Sequence, residues 1–182
     1  MTRLPLALLA PLALLAAAPV VAQGMMSAPP PPLPAGTPAP AFTTTTLAGK
    51  PLSLRSLRGK VVLLDYWATW CGPCRMATPT MQALHKKFHG QGLVVVGMSV
   101  DAPDTVSQVR PFVKAFGMTY PVTASPAANG RAQYAYRANS IPSQYLIDKR
   151  GIVRWSQAGF APGEGAELAG MIRKLLAEKT PK

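Results

Sequence analysis

The sequence predicts an α/β fold, a three-layer sandwich in which helices cover both faces of a mixed central β-sheet. Strand-like and helix-like hydrophobic patterns alternate along residues 41–180, and such alternation is typical of this architecture. The segment Val61–Trp67 is an apolar run broken by a single acid, as expected for a central strand buried on both faces. A length of 182 residues fits one domain of this kind.

The elements of the first half follow in order. A β-branched run at residues 41–46 and a short apolar return at residues 52–54 flank a turn, and they predict an N-terminal β-hairpin extension ahead of the core. After the central strand, Pro73 suits the first turn of a helix, and apolar residues continue at helical spacing as far as Gly90.

Residues 93–178 continue the alternation of strand and helix patterns, and these elements are expected to complete the sheet and its covering helices. The predicted elements are a strand at residues 93–100, a helix at 104–116, a turn at 120–122, a short helix at 127–136, a hairpin of 141–148 with 152–156, and a closing helix at 165–178.

The N-terminus has the pattern of an export signal. Arg3 is followed by a run of Leu, Ala and Pro, so that 17 of the first 22 residues are apolar, and small residues suited to cleavage end at Ala22. We therefore predict a signal peptide at residues 1–22, which would act as a membrane anchor if it stayed uncleaved. A linker rich in Pro and Ala follows at residues 23–40, extended and unable to bury apolar area, and the folded domain spans residues 41–180.

The charge balance is strongly basic, with 19 Lys and Arg against 7 Asp and Glu, a formal net charge of +12. The basic residues are scattered and no run of four or more occurs. A nucleic-acid-binding groove normally shows a basic stripe or a recognised motif, so nucleic acid is not an expected partner. A basic solvated surface, which attracts anionic lipid or an acidic partner at most weakly, is the expected consequence.

The only two cysteines, Cys71 and Cys74, are separated by two residues. Structural zinc usually takes four Cys or His ligands. His85 and His89 lie on the following helix, but a separated second ligand pair is missing, so we predict no metal site and no cofactor. A cross-link over so short a loop would also stabilise the fold little. The pair is therefore better suited to redox chemistry.

The position of the pair favours a reactive thiol. Cys71 falls between the end of the central strand and the start of a helix, where unpaired N–H groups and the helix dipole stabilise a thiolate. Gly72 allows a tight turn and Pro73 presets a helical φ. Cys74, one turn inside the helix, is placed to resolve a mixed disulfide formed by Cys71.

These residues carry a resemblance to a known family. Residues 67–74 read Trp-Ala-Thr-Trp-Cys-Gly-Pro-Cys and resemble the active-site signature of the thioredoxin superfamily. The segments at residues 47–54 and 57–62, together with the export signal, are similar to its TlpA/ResA-like branch. The resemblance covers about residues 41–178 and implies a thioredoxin-like fold.

A second matching segment, at residues 140–148, is similar to the part of the family fold that carries a cis proline opposite the cysteines. The resemblance implies that the Ile141–Pro142 bond is cis and that the backbone of Ile141 is exposed for pairing with a bound peptide. Trp70 is expected to cover the edge of the disulfide. Together with Gly72 and Pro73, these residues are the candidate substrate-binding set.

The acid in the central strand, Asp65, is the third candidate catalytic residue beside the two cysteines. It matches the buried acid of thioredoxin, and burial is expected to raise its pKa so that it can accept the proton of Cys74. The lysine that accompanies this acid in thioredoxin is absent, and its place aligns with Gly97. Ala77 stands where many TlpA/ResA-like sequences carry Glu, which weakens a dedicated role in cytochrome c maturation.

The resemblance implies a thiol-disulfide oxidoreductase that reduces disulfides in client proteins outside the cytoplasm, recharged by a membrane reductant of the DsbD or CcdA type. Three alternatives stay open. A peroxiredoxin-like peroxidase would carry a Thr further ahead of its Cys than Thr69 lies from Cys71. A copper-linked or cytochrome c maturation factor, or a non-enzymatic interaction module, would use the same fold.

Overall fold

The computed structural model describes residues 30–179 of the chain. The predicted signal peptide at residues 1–22 and the first part of the predicted linker lie outside the described residues. Within residues 30–179, no helix is both long enough and apolar enough to cross a bilayer.

The described residues form seven strands and four helices in an alternating order. The strands are β1 Thr43–Thr45, β2 Pro51–Ser53, β3 Val61–Trp67, β4 Leu93–Ser99, β5 Val122–Thr123, β6 Ser143–Ile147 and β7 Val153–Ala158. The helices are α1 Gly72–Phe88, α2 Val109–Ala115, α3 Pro126–Ala135 and α4 Glu164–Ala177.

Five strands form a mixed sheet in the order β5-β4-β3-β6-β7. The central strand β3 runs parallel to β4 and antiparallel to β6, while β1 and β2 form a separate antiparallel hairpin. Apolar residues of α1, α2 and α4 pack on one face of the sheet, and those of the hairpin and α3 pack on the other. The predicted three-layer sandwich with its N-terminal hairpin is confirmed.

Every residue of β3 is buried, and its side chains alternate between the two faces. Leu63 and Trp67 join the core beneath α1, whereas Leu64 and Tyr66 join the core beneath α3. By the same alternation Asp65 points toward the face covered by α1. The strand thus carries its one acid directly toward the helix that bears the cysteines.

The region between β4 and α3 differs from its prediction. The helix expected over residues 104–116 consists of a 3₁₀ turn, Val106–Gln108, and the shorter helix α2. Pro111 explains the difference, because it is tolerated in the first turn of α2 but would break a helix that began at residue 104. The expected turn at residues 120–122 runs into β5, a strand of two residues that pairs with β4.

Residues 30–40 also differ from the expected spacer, since they lie against the domain. Leu33 is only 5% exposed and belongs to the core on the α3 face. Gly36 donates its backbone N–H to Val153 (2.8 Å), and Ala39 donates to Gly151 (2.9 Å). Non-proline residues between the prolines therefore pair with the start of β7, and one leucine fills a core position despite the Pro-rich composition.

We expect Leu33→Ala to lower the free energy of unfolding by about 2–3 kcal/mol, because truncating a buried leucine removes apolar contacts and leaves a cavity. Urea denaturation followed by circular dichroism measures the change. Pro32→Ala, one residue earlier, is the control and should have a much smaller effect. Equal stabilities for Leu33→Ala and the parent chain would instead support a free spacer.

Candidate active site

Cys71 and Cys74 form a disulfide with an S–S distance of 2.04 Å where β3 leads into α1. Cys71 is the N-cap of α1, and the backbone N–H of Cys74 donates to its sulfur at 3.2 Å. Both side chains are buried, Cys71 at 5% and Cys74 at 1% exposure. The pair lies beyond the carboxyl end of a central parallel strand, where sites of α/β sheets usually form.

The N-terminus of α1 supplies a positive field at the sulfur of Cys71. The helix is 17 residues long, and its first turn contains no acidic residue. Gly72 and Pro73 in that turn are exposed to solvent. Unpaired N–H groups and the helix dipole favour negative charge at this position, so a reduced Cys71 would be stabilised as a thiolate.

The loop before β6 closes the other side of the disulfide. The Ile141–Pro142 peptide bond is cis, as the resemblance implies. The carbonyl oxygen of Ile141 lies 3.8 Å from the sulfur of Cys71. The predicted residues of this loop and of the Cys-Gly-Pro-Cys turn are thus brought into contact, although about 70 positions separate them in the sequence.

Trp70 lies at the rim of the site and is 62% exposed. It lines a cleft together with Arg75, Phe112 and Phe116. The rings of Phe112 and Phe116 stack with a centroid distance of 4.2 Å, and the Arg75 guanidinium lies 5.3 Å from the Phe112 centroid. The cleft beside the disulfide therefore combines aromatic surface with a cation.

A buried carboxylate that the sequence analysis missed holds the segment just before Cys71. Asp101 is 1% exposed and accepts hydrogen bonds from the Thr69 backbone N–H (3.1 Å) and hydroxyl (2.5 Å). The Ser99 hydroxyl also donates to Asp101 at 2.8 Å, and Arg75 donates to the Thr69 carbonyl at 2.9 Å. Both backbone polar groups of Thr69 are therefore fixed, which sets the position from which Trp70 projects.

We expect Asp101→Ala to lower the free energy of unfolding by about 2–3 kcal/mol, because it leaves the buried N–H and hydroxyl donors of Thr69 without an acceptor. Urea denaturation of the oxidised protein measures the loss. Asp101→Asn keeps one acceptor oxygen and should recover part of the stability. If the alanine and asparagine variants were both as stable as the parent chain, the contacts to Thr69 would contribute nothing.

Asp65 lies beneath the site, 2% exposed, on the same face of the sheet as Cys74. The side-chain amide of Gln144 donates to its Oδ1 at 3.3 Å. Burial raises the pKa of Asp65 to about 7, and the bond from Gln144 lowers it by a smaller amount. The carboxyl group can therefore exchange a proton near neutral pH.

The side chains around Gly97, which pairs with Asp65, are closely packed. Gly97 is the register partner of Asp65 on β4, and a Cβ there would lie 3.0 Å from Trp67 Nε1 and 3.1 Å from a Tyr120 ring carbon. The two aromatic rings occupy the space above Gly97, so a longer side chain would have to displace them. Within the described chain, Trp67 Nε1 and the Tyr120 hydroxyl are buried without a hydrogen-bond partner.

Residues 35–156 match the AhpC/TSA family. The matched segment comprises 122 of the 182 residues. The chain belongs to the AhpC/TSA family.

Proteins similar to this chain include thiol-disulfide oxidoreductases. ResA of Bacillus anthracis is 34% identical over 140 residues, which cover 77% of this chain and 78% of that protein. The thioredoxin-like protein YneN of Bacillus subtilis is 34% identical over 119 residues, covering 65% and 68% of the two chains. The crystal structure of a thioredoxin-family thiol:disulfide interchange protein from Chlorobium tepidum has a TM-score of 0.66 and 31% identity, covering 82% of this chain and 100% of that one.

The AhpC/TSA assignment, these relatives and the Cys71–Cys74 disulfide identify the chain as a thiol-disulfide oxidoreductase. The structure brings Ile141 and Cys71 together, with Trp70 at the rim and Asp65 below. Sequence reasoning missed the partners that hold these residues, namely Asp101, Arg75 and Gln144. Their contacts depend on register and loop path, for which the sequence gives no local signal.

Proposed function

We propose that the protein reduces disulfide bonds in client proteins, with Cys71 as the nucleophile and Cys74 as the resolving thiol. The position of the Cys71 sulfur carries this proposal. It caps α1, accepts the N–H of Cys74 and lies next to the carbonyl of Ile141. A thiolate at that position is stabilised and faces the loop to which an extended peptide could pair.

The exchange takes two steps. The Cys71 thiolate attacks one sulfur of the client disulfide, which forms a mixed disulfide and releases the other client sulfur as a thiolate. Cys74, deprotonated by Asp65, then attacks the sulfur of Cys71, which releases the second client thiolate and forms the Cys71–Cys74 disulfide. The client gains two electrons, and the protein loses two.

The client chain is held by the surface around Cys71. The exposed Trp70 offers apolar area, and the exposed Gly72 and Pro73 have no large side chain that would obstruct a client beside Cys71. Ile141 and Pro142 present backbone groups along the opposite side. A disulfide-containing client segment bound between these two walls would bring its sulfur to Cys71.

The N-terminal sequence supports a location outside the cytoplasm, reached by the signal at residues 1–22, with residues 23–29 as the remaining linker. An uncleaved signal would tether the domain to the membrane. Because extracytoplasmic compartments are oxidising, the dithiol must be regenerated there by an outside donor. A membrane reductant of the DsbD or CcdA type fits this need.

Equilibration of the Cys71–Cys74 couple with redox buffers of known potential tests the direction of electron flow. We expect a potential below about −200 mV, since reducing thioredoxin lies near about −270 mV and the oxidant DsbA near about −120 mV. A value above about −150 mV would identify an oxidant and contradict the proposal. Peroxide consumption by Cys74→Ser would instead support the peroxidase alternative. The nearest threonine ahead of Cys71 is Thr69, and its hydroxyl already donates to Asp101.

A further inference from the structure

The two histidines of the chain lie side by side near the end of α1, away from the disulfide. His85 and His89 are one helical turn apart, with ring centroids 4.9 Å apart and ring planes inclined by 32°. Eleven residues separate Cys74 from His85, a rise of about 16 Å along the helix. The pair is therefore separate from the site of thiol exchange.

Contacts to the rings assign the nitrogens. Nδ1 of His89 lies 3.0 Å from the carbonyl oxygen of His85, so this nitrogen carries the proton and Nε2 keeps a free lone pair. A bond from Nδ1–H to a backbone carbonyl is the contact that orients metal-binding histidines. Nδ1 of His85 is buried without a hydrogen-bond partner among residues 30–179, and its ring packs edge-on against Tyr120. Nε2 is therefore the outward nitrogen of His85.

The spacing of the rings fits two ligands of one ion. Metal–imidazole bonds of about 2.0–2.1 Å place each ring centre roughly 3.2 Å from the ion, and adjacent ligands then have centres about 4.5–5 Å apart. The observed centroid distance of 4.9 Å lies in this range. The spacing of His85 and His89 is also that of the two helical histidines in H-E-x-x-H zinc sites.

We propose that His85 and His89 bind a divalent transition-metal ion through their Nε2 atoms, with Cu²⁺ bound more tightly than Zn²⁺. Copper follows from the order of affinities of divalent ions for nitrogen ligands. Among the described residues no cluster of three or more His, Cys, Asp or Glu is placed to hold a metal, so water would fill the other positions. This proposal departs from the prediction of no metal site, which rested on the missing second ligand pair of a four-ligand zinc site.

The charges near the pair have opposing effects. Burial, and then the nearby charge of His89, lower the pKa of His85. Lys86 and Lys87 lie between the two histidines in sequence and repel a cation. Tyr120, the aromatic neighbour of His85, carries a raised pKa because of burial and so contributes no charge. The affinity should therefore be moderate and should increase when a lysine is removed.

The test is a titration of the oxidised full chain with Cu²⁺ alone, followed by calorimetry and electron paramagnetic resonance. Oxidation keeps both cysteines in the disulfide, so neither can act as a ligand. We expect one equivalent of Cu²⁺ with two coupled nitrogen nuclei. His89→Gln, at an exposed position near the helix end, should weaken binding by about 10- to 100-fold.

Lys86→Gln is the matched control, and it should bind Cu²⁺ as tightly as the parent chain or more tightly. His85→Gln provides a second variant on the partly buried side of the pair. Unchanged Cu²⁺ affinity in the double variant His85→Gln/His89→Gln would overturn the proposal, as would failure of the parent chain to bind Cu²⁺ at millimolar concentration. Disulfide reduction should be unchanged in the histidine variants, which separates this result from the proposed function.

Discussion

Cys74→Ser is expected to stop turnover and leave the protein covalently joined to its client through Cys71. Without a thiol at position 74, the mixed disulfide has no internal nucleophile to release the client. Affinity purification of Cys74→Ser under non-reducing conditions, followed by mass spectrometry, should identify the client and the electron donor.

Cys71→Ser is the matched control because it removes the attacking sulfur and keeps the turn. It should reduce the rate of insulin disulfide reduction by at least about 10³-fold and should trap no partner. Iodoacetamide alkylation of Cys74→Ser should show a Cys71 pKa well below that of free cysteine, because of the N-terminus of α1. Adducts formed equally by both variants, or an ordinary Cys71 pKa, would contradict the assigned roles.

Asp65→Asn is expected to stabilise the protein at alkaline pH and to slow resolution of the mixed disulfide. Burial raises the pKa of Asp65 from 3.8 to about 7, so the folded protein binds this proton more tightly than the unfolded chain does. The associated stability is present below pH 3.8 and is lost as pH rises through 7. Above pH 7 the buried carboxylate costs up to about 4 kcal/mol, and asparagine avoids this cost while it still accepts the bond from Gln144.

Urea denaturation of the oxidised protein at pH 4 and pH 8 measures this effect. The gain in stability from Asp65→Asn should be large at pH 8 and within about 1 kcal/mol at pH 4. Asp104→Asn removes an exposed carboxylate and should show no such difference. A destabilised Asp65→Asn at pH 8 would mean that the ionised carboxylate has a stabilising partner, which contradicts its assignment as a proton acceptor.

The central part of the fold could be predicted from the sequence because its signals are local. The bounds of β3 were predicted to the residue, since an apolar run with a single polar residue is typical of a central buried strand. Pro73 marked the start of α1, and the cis bond before Pro142 followed from the resemblance alone. These elements carry their information in adjacent residues.

Other features depend on contacts between distant segments. Asp101 lies against Thr69, which is 32 residues earlier in the chain, and no local sequence pattern indicates this contact. Gln144 meets Asp65 only through the antiparallel register of β6 and β3. Leu33, an isolated leucine among prolines, carried no hydrophobic period that would indicate burial. In each case the position of the side chain depends on packing between distant segments, which the local sequence does not indicate.

The pairing of residues 36–39 with the start of β7 covers part of an edge of the sheet. β7 is an edge strand, and an open edge offers backbone donors and acceptors to strands of other molecules. The N-terminal segment occupies the first of these groups, and Pro38, which bridges to Ile152, has no N–H to offer on its outer side. The N-terminal segment therefore blocks the addition of another molecule's strand at the start of β7.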